Sequence, residues 1–170
     1  YLSEPMVSRS RHLFDEGNLS VRIVSLNDIF LFKAVANRDD DVDDMIRIAQ
    51  AGIDEDVIVE EIMTQIDLIG GDNFIDAMNQ KLGRLREQGF DFDIHQEVTA
   101  LAERVENGTK VRDAIISLRE HEYDDNLYAG VPESAISRRV GKGTANSGIE
   151  WLVRLGAVER ETDESLTLTD

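Results

Sequence analysis

Pro132-Glu-Ser-Ala-Ile-Ser-Arg-Arg-Val-Gly141-Lys-Gly-Thr-Ala-Asn-Ser-Gly-Ile-Glu-Trp-Leu-Val-Arg-Leu-Gly156 decides the architecture of the chain's last third. Residues 131–141 and 144–156 each read as a short helix, and Gly141 and Gly143 permit a tight turn between them. Ile136, Val140, Ile149, Leu152 and Leu155 supply a small core. Two β-prone runs follow, 157–160 and 166–169, around the polar segment 161–165, which is the pattern of a hairpin. Basic residues outnumber acidic ones here: Arg138, Arg139, Lys142 and Arg154 against Glu150 give +3 between 134 and 156. The whole chain carries −17.

Upstream, helical patterns dominate. Residues 1–18 are polar and commit to no element, and the alternation over 19–25 predicts a strand. Asn27 or Asp28 then caps a helix over 29–36, apolar on nearly every side and expected to be buried. The acidic run 39–44 opens a helix with Val42, Met45, Ile46 and Ala49 on one face and Gly52 at its end. Asp54 caps a third helix with Ile58, Ile62, Ile66 and Ile69 aligned, stopped by Gly70-Gly71. Asp72 starts a fourth, with Ile75, Met78, Leu82 and Leu85 inward and Gly89 beyond it. Asp93 and Gln96 have capping-box spacing at the start of a fifth, with Ile94, Val98, Leu101 and Val105 on one face. Asn107-Gly108 reads as the domain boundary, after which 110–121 is helical through Val111, Ile115 and Leu118, and a polar linker (122–126) follows.

Composition bounds the class. The 170 residues suffice for one or two domains with a real core. Cysteine is absent, which excludes disulfides and thiolate zinc sites. No apolar run approaches the roughly 18 residues of a membrane span and no signal peptide is visible, so a cytoplasmic protein without membrane contact is expected. The chain begins at Tyr1 rather than Met, and an upstream segment is expected. Thirty-five acidic residues face eighteen basic ones, only four of them Lys. That acidic, Lys-poor, Asp-rich balance resembles the proteins of salt-accumulating archaea, whose surfaces carry dense hydrated carboxylates. The carboxylate runs at 39–44, 54–56 and 60–61 would then form a halophilic surface.

Residues 109–170 resemble the winged helix-turn-helix domains of archaeal and bacterial transcription regulators. The likeness rests on the helical start "Pro-Glu-Ser-Ala-Ile-Ser-Arg-Arg-Val-Gly" and on "Leu-Val-Arg-Leu-Gly-Ala-Val-Glu-Arg". It implies a second helix that offers its N-terminal half to the major groove of double-stranded DNA. The DNA-contact candidates are Thr144, Asn146 and Ser147 there, Lys142 in the turn before it, Arg138 and Arg139 on the first helix, and Arg160 on the wing. A winged helix used for contact with a partner protein, or for homodimer formation, is the alternative. Trp151, in mid-helix beside Leu152, reads as a core or domain-interface residue.

The stretch Val21-Arg-Ile-Val-Ser-Leu-Asn-Asp-Ile-Phe-Leu-Phe-Lys33, with Asn37-Arg-Asp-Asp-Asp-Val-Asp-Asp44, carries a second resemblance. It is similar to the C-terminal half of nucleotidyltransferase-fold proteins of abortive-infection and antitoxin-associated families, over about residues 18–70. Matching the motif points to Lys33, Arg38, Asp41 and Asp44 beside a nucleotide site. The metal-binding carboxylates of that fold follow a Gly-Gly or Gly-Ser turn on earlier strands, and the residues before Val21 contain neither such a turn nor an Asp-x-Asp pair. No catalytic residue and no cofactor or metal is therefore assigned, and Mg²⁺ enters only with an upstream catalytic half. The chain is then either a fragment of an enzyme or toxin–antitoxin component, or a protein that kept the helices without catalysis. Asp39, Asp41 and Asp43 imitate the start of a calcium loop, but no Gly stands sixth and Gln50 stands twelfth, so helix capping is the reading preferred. His12, His95 and His121 are dispersed and suggest no ligand cluster.

The expected fold is mainly α with small β elements: a helical domain with one strand over 1–107 and a C-terminal winged helix over 109–170. The expected function is that of a halophilic DNA-binding or transcription-regulating protein.

Overall fold

A computed structural model describes residues 2–36, 38, 41–69, 72–122, 130–162 and 164–169. The chain is mainly α with small antiparallel sheets. It divides into two compact units, 1–100 and 101–170.

The first unit opens with α1 (Glu4–Arg9), β1 (Arg11–Glu16) and β2 (Leu19–Ile23), where the sequence committed only to the strand over 19–25. Ser3 caps α1 by accepting the Met6 N–H at 3.2 Å, with Pro5 in the first turn, where its missing donor costs nothing. Next comes α2 (Leu26–Val35), whose cap is Ser25 rather than Asn27 or Asp28. Ser25 Oγ accepts the Asp28 N–H at 3.2 Å. Asn27 instead accepts the backbone N–H of Asp54 at 2.9 Å, holding the turn before α4 (Glu55–Ile69). Burial of α2 is one-sided: Phe30, Leu31 and Ala34 are buried, while Leu26 and Phe32 stay exposed.

Between them lies α3 (Asp41–Ala51), and α5 (Asp72–Glu87) follows α4. Asp54 caps α4 as its position suggests, its Oδ1 accepting the Val57 N–H at 3.3 Å. The aligned Ile58, Ile62 and Ile66 are buried, as are Ile75, Met78, Leu82 and Leu85 of α5. The Gly70-Gly71 stop and the side chain of Ile69 lie outside the described residues. Phe30 meets Phe92 edge-on, with ring centroids 5.8 Å apart.

A single helix, α6 (Ile94–Glu122), replaces the two helices expected on either side of Asn107-Gly108. Its first residues belong to the first unit and the rest to the second. The glycine is retained for packing rather than for a break. A Cβ at Gly108 would stand 2.7 Å from Trp151 Cδ1, and one at Gly148 would stand 2.3 Å from the Asn107 carbonyl oxygen. Two helices crossing this closely offset the roughly 1 kcal/mol that glycine costs in a helix interior.

The second unit continues with β3 (Val131–Pro132), α7 (Glu133–Val140), α8 (Lys142–Arg154), β4 (Val158–Arg160) and β5 (Ser165–Leu168). Residues 131–132 are thus a strand rather than the start of α7, and α8 begins two residues earlier than its expected start at 144. The sheet order is β3-β5-β4, antiparallel throughout, with Val131 opposite Leu166 and Val158 opposite Leu168. One core joins Val111, Ile115 and Leu118 of α6 to Ile136, Ile149, Leu152, Val158 and Leu166. The second unit thus runs helix, strand, two helices and a β-hairpin whose second strand also pairs with β3.

Candidate functional site

The turn between α7 and α8 is Gly141 alone, at φ +88°, a conformation that side-chain-bearing residues rarely adopt. Gly141 is also the N-cap of α8 and has no side chain to offer, so α8 begins without a side-chain cap. Its first backbone N–H groups therefore carry the partial positive charge of a helix N-terminus unneutralised.

At about 100° per residue, the positions of α8 sort into faces. Lys142 and Asn146 share the exposed face, with Glu150 and Val153 further along it. Ala145, Gly148, Ile149, Trp151 and Leu152 form the buried face. Thr144 and Ser147, expected beside Lys142 and Asn146, are half-buried and, three residues apart, lie together on the Trp151 side of the helix. Ser147 lines a cleft of about 390 Å³ with Arg104, Glu150, Trp151 and Arg154. Trp151 is buried, with the Arg154 guanidinium 5.7 Å from its ring centre, as a core residue rather than an exposed stacking platform.

The arginines are placed unequally. Arg138 and Arg139 are both exposed in the last turn of α7, where cations also complement the helix dipole. Arg139 donates to Ser117 Oγ at 2.9 Å. Arg160 of β4 pairs with Glu133 at 2.6 Å, tying the β4–β5 hairpin to the start of α7. Arg138, at the end of α7, and Lys142 and Asn146, on one face of α8, are thus the exposed candidates whose side chains have no partner among the described residues.

In the first unit, the four residues singled out by the nucleotidyltransferase resemblance are brought together. Lys33 Nζ, at the end of α2, lies 2.7 Å from Asp41 Oδ1 and 2.7 Å from Asp44 Oδ2. Arg38 Nε lies 3.2 Å from Asp41 Oδ2. Hydrogen bonds from Lys33 hold both carboxyls below the usual carboxylate range, and Asp41 in turn raises Lys33. A fifth member was not foreseen from the sequence. Lys81 of α5, nearly buried, donates to the carbonyls of Lys33 and Ala36 and stands 3.6 Å from Asp41. Burial depresses its pKa. Its position three residues after Met78 and one before Leu82, on the apolar face of α5, was the available signal. Asp39 and Asp40 of the acidic run lie outside the described residues.

A second buried polar group also went unforeseen. Glu61, expected among the surface carboxylates, is 1% exposed. It accepts from Ser3 Oγ at 2.6 Å, Arg9 Nη2 at 2.6 Å and Gln65 Nε2 at 2.8 Å. Arg9 bridges it to the equally buried Asp28, at 2.5 Å. Burial of two carboxylates is tolerable because each is multiply hydrogen-bonded and shares the guanidinium.

No helix among the described residues is long and apolar enough to cross a membrane. Comparison with protein-family models, with curated proteins and with solved structures gives no match.

Proposed function

We propose that this protein binds double-stranded DNA through its C-terminal unit and acts as a regulator, with the first unit as a nucleotidyltransferase-like, non-catalytic partner domain. The observation that carries the reading is the uncapped, exposed N-terminus of α8, with Lys142 and Asn146 exposed on its first turns and Arg138 exposed in the last turn of α7. Backbone N–H groups at a helix N-terminus receive phosphate well, and neighbouring cations fix its position. Asn146, on the same face as Lys142, has the donor and acceptor pair that reads adenine in the major groove. The non-catalytic part is supported by the way Lys33, Arg38, Asp41, Asp44 and Lys81 satisfy one another's charges.

Binding of a labelled duplex, followed by fluorescence anisotropy across a salt series, tests the reading. Wild type is expected to bind, with affinity falling as salt rises. Arg138→Ala/Arg139→Ala should bind more weakly, and its log–log salt slope should shrink by about 0.9 for each phosphate that the variant no longer neutralises. Lys142→Ala/Asn146→Ala should weaken binding and relax sequence preference. Equal affinity in wild type and both variants removes this surface as the DNA contact.

A further inference from the structure

Among the described residues, the β1–β2 hairpin of the first unit is a sheet of two strands, and every residue of β1 is exposed. Two strands alone are marginal in water. One face of this hairpin is apolar. Phe14 lies opposite Val21, and Leu19, Val21 and Ile23 share a face because successive strand residues alternate. Phe14 is 50% exposed, Leu19 58% and Ile23 42%. Leu13, at the register shift of β1, is exposed as well. Among the described residues the outer edge of β1 is paired with no strand, and such an edge is a template for strand pairing.

The order of charges along β1 identifies the occupant. Arg11-His12-Leu13-Phe14-Asp15-Glu16 has its basic residues at one end and its acids at the other. Set antiparallel to a second copy, with Leu13 opposite that copy's Phe14, Arg11 falls opposite Glu16 and His12 opposite Asp15. The faces agree. Arg11 and Glu16 pair with Ile23 and Leu19 of β2, on the apolar face. His12 and Asp15 pair with Arg22 and Ser20, on the other. A two-fold axis normal to the sheet keeps each face on its own side, so Arg11 meets Glu16 as an ion pair at both ends. Asp15, within 3.0 Å of His12 of its own strand, faces the neighbour's His12. A slip of one residue would set side chains of opposite faces against each other, and parallel pairing would oppose like charges. The irregularity at Leu13 falls at the axis, where the bulge of one copy meets that of the other. Charge also permits approach: between 7 and 24, Arg9, Arg11 and Arg22 against Asp15 and Glu16 give +1, in a chain of −17.

We propose that the outer edge of β1 pairs with β1 of a second copy of this chain about a two-fold axis, forming a four-stranded sheet in which Leu13 and Phe14 meet at the axis and the Arg11–Glu16 pairs flank them. The inference stands independently of DNA binding.

Mass in solution, by sedimentation equilibrium near 0.15 M KCl, is the first measurement. Wild type should approach twice 19.1 kDa. Arg11→Glu and Glu16→Arg should each weaken the dimer by roughly tenfold, because each variant sets like charges together at two places. The double variant Arg11→Glu/Glu16→Arg should recover it. Register is read separately by cysteine cross-linking, since the chain has no cysteine. A mixture of Arg11→Cys and Glu16→Cys chains should form an intermolecular disulfide. Neither should do so alone, because like positions lie five residues apart along the strand, roughly 17 Å. A monomeric wild type, a double variant no tighter than the single ones, or equal cross-linking without mixing would overturn the proposal.

Discussion

Gly148 and Gly143 sit in the same helix and should respond to alanine in opposite directions. A Cβ at Gly148 would lie 2.3 Å from the carbonyl oxygen of Asn107 and 2.7 Å from Val111 Cγ2, so backbone must move. Overpacking of this kind costs about 1–3 kcal/mol. At Gly143 nothing lies within 4 Å of the added carbon, and the backbone there is not in the left-handed region. Gly143→Ala should therefore stabilise by about 0.5–1 kcal/mol through helix propensity alone. Urea unfolding of the two variants checks both signs, and a neutral Gly148→Ala would show that α6 and α8 do not approach so closely. The need for Gly148 is invisible in sequence, because its neighbour Asn107 is a residue of another helix.

At the scale of elements, the join of α2 to α3 is made by charge. Asp41 and Asp44 are held below their ordinary pKa by Lys33, so their contribution to folding is present above the unfolded value near 3.9. It is lost as pH falls through the depressed folded values. Asp41→Asn should therefore lower the thermal midpoint at pH 7, with the gap to wild type closing below about pH 4. The same substitution separates structural from catalytic use of this carboxylate. Wild-type protein should transfer no label from an NTP with Mg²⁺ or Mn²⁺, and transfer that Asp41→Asn abolishes would convert the reading to an enzyme. Sequence motif matching named four members of this cluster, and the structure brings all four together. Lys81 completes it from a helix about 40 residues downstream, beyond the reach of a local motif.

For the whole molecule, the excess of acid governs response to salt. At −17 the folded chain repels itself in dilute buffer, and shortening the Debye length from ~10 Å at 0.1 M to ~3 Å at 1 M relieves that strain. Thermal midpoints should rise steadily from low to molar KCl. A flat or falling midpoint would remove salt adaptation as the reason for the acidic surface. Glu61 differs from the surface carboxylates, since it is buried, shares the Arg9 guanidinium with Asp28 and is hydrogen-bonded on both oxygens.

Periodicity by itself determined the helices α2 to α5, the inward faces of α4 and α5, and the helix–turn–helix–hairpin order of the last third. Each of those features is set by spacing within one segment, where apolar residues recur every three or four positions and glycine marks the stops. Capping and continuity were decided by tertiary structure. Ser25 outcompeted Asn27 for α2 because Asn27 was needed at Asp54, and α6 ran through Asn107-Gly108 because α8 packs on it. Even the burial of Glu61 was half legible. It falls with Ile58, Ile62, Gln65 and Ile66 on one helical face, but the Ser3 and Arg9 that make its burial tolerable lie 58 and 52 residues away. A sequence shows which face of an element is turned inward; only the fold supplies the distant partner that lets a charge be there.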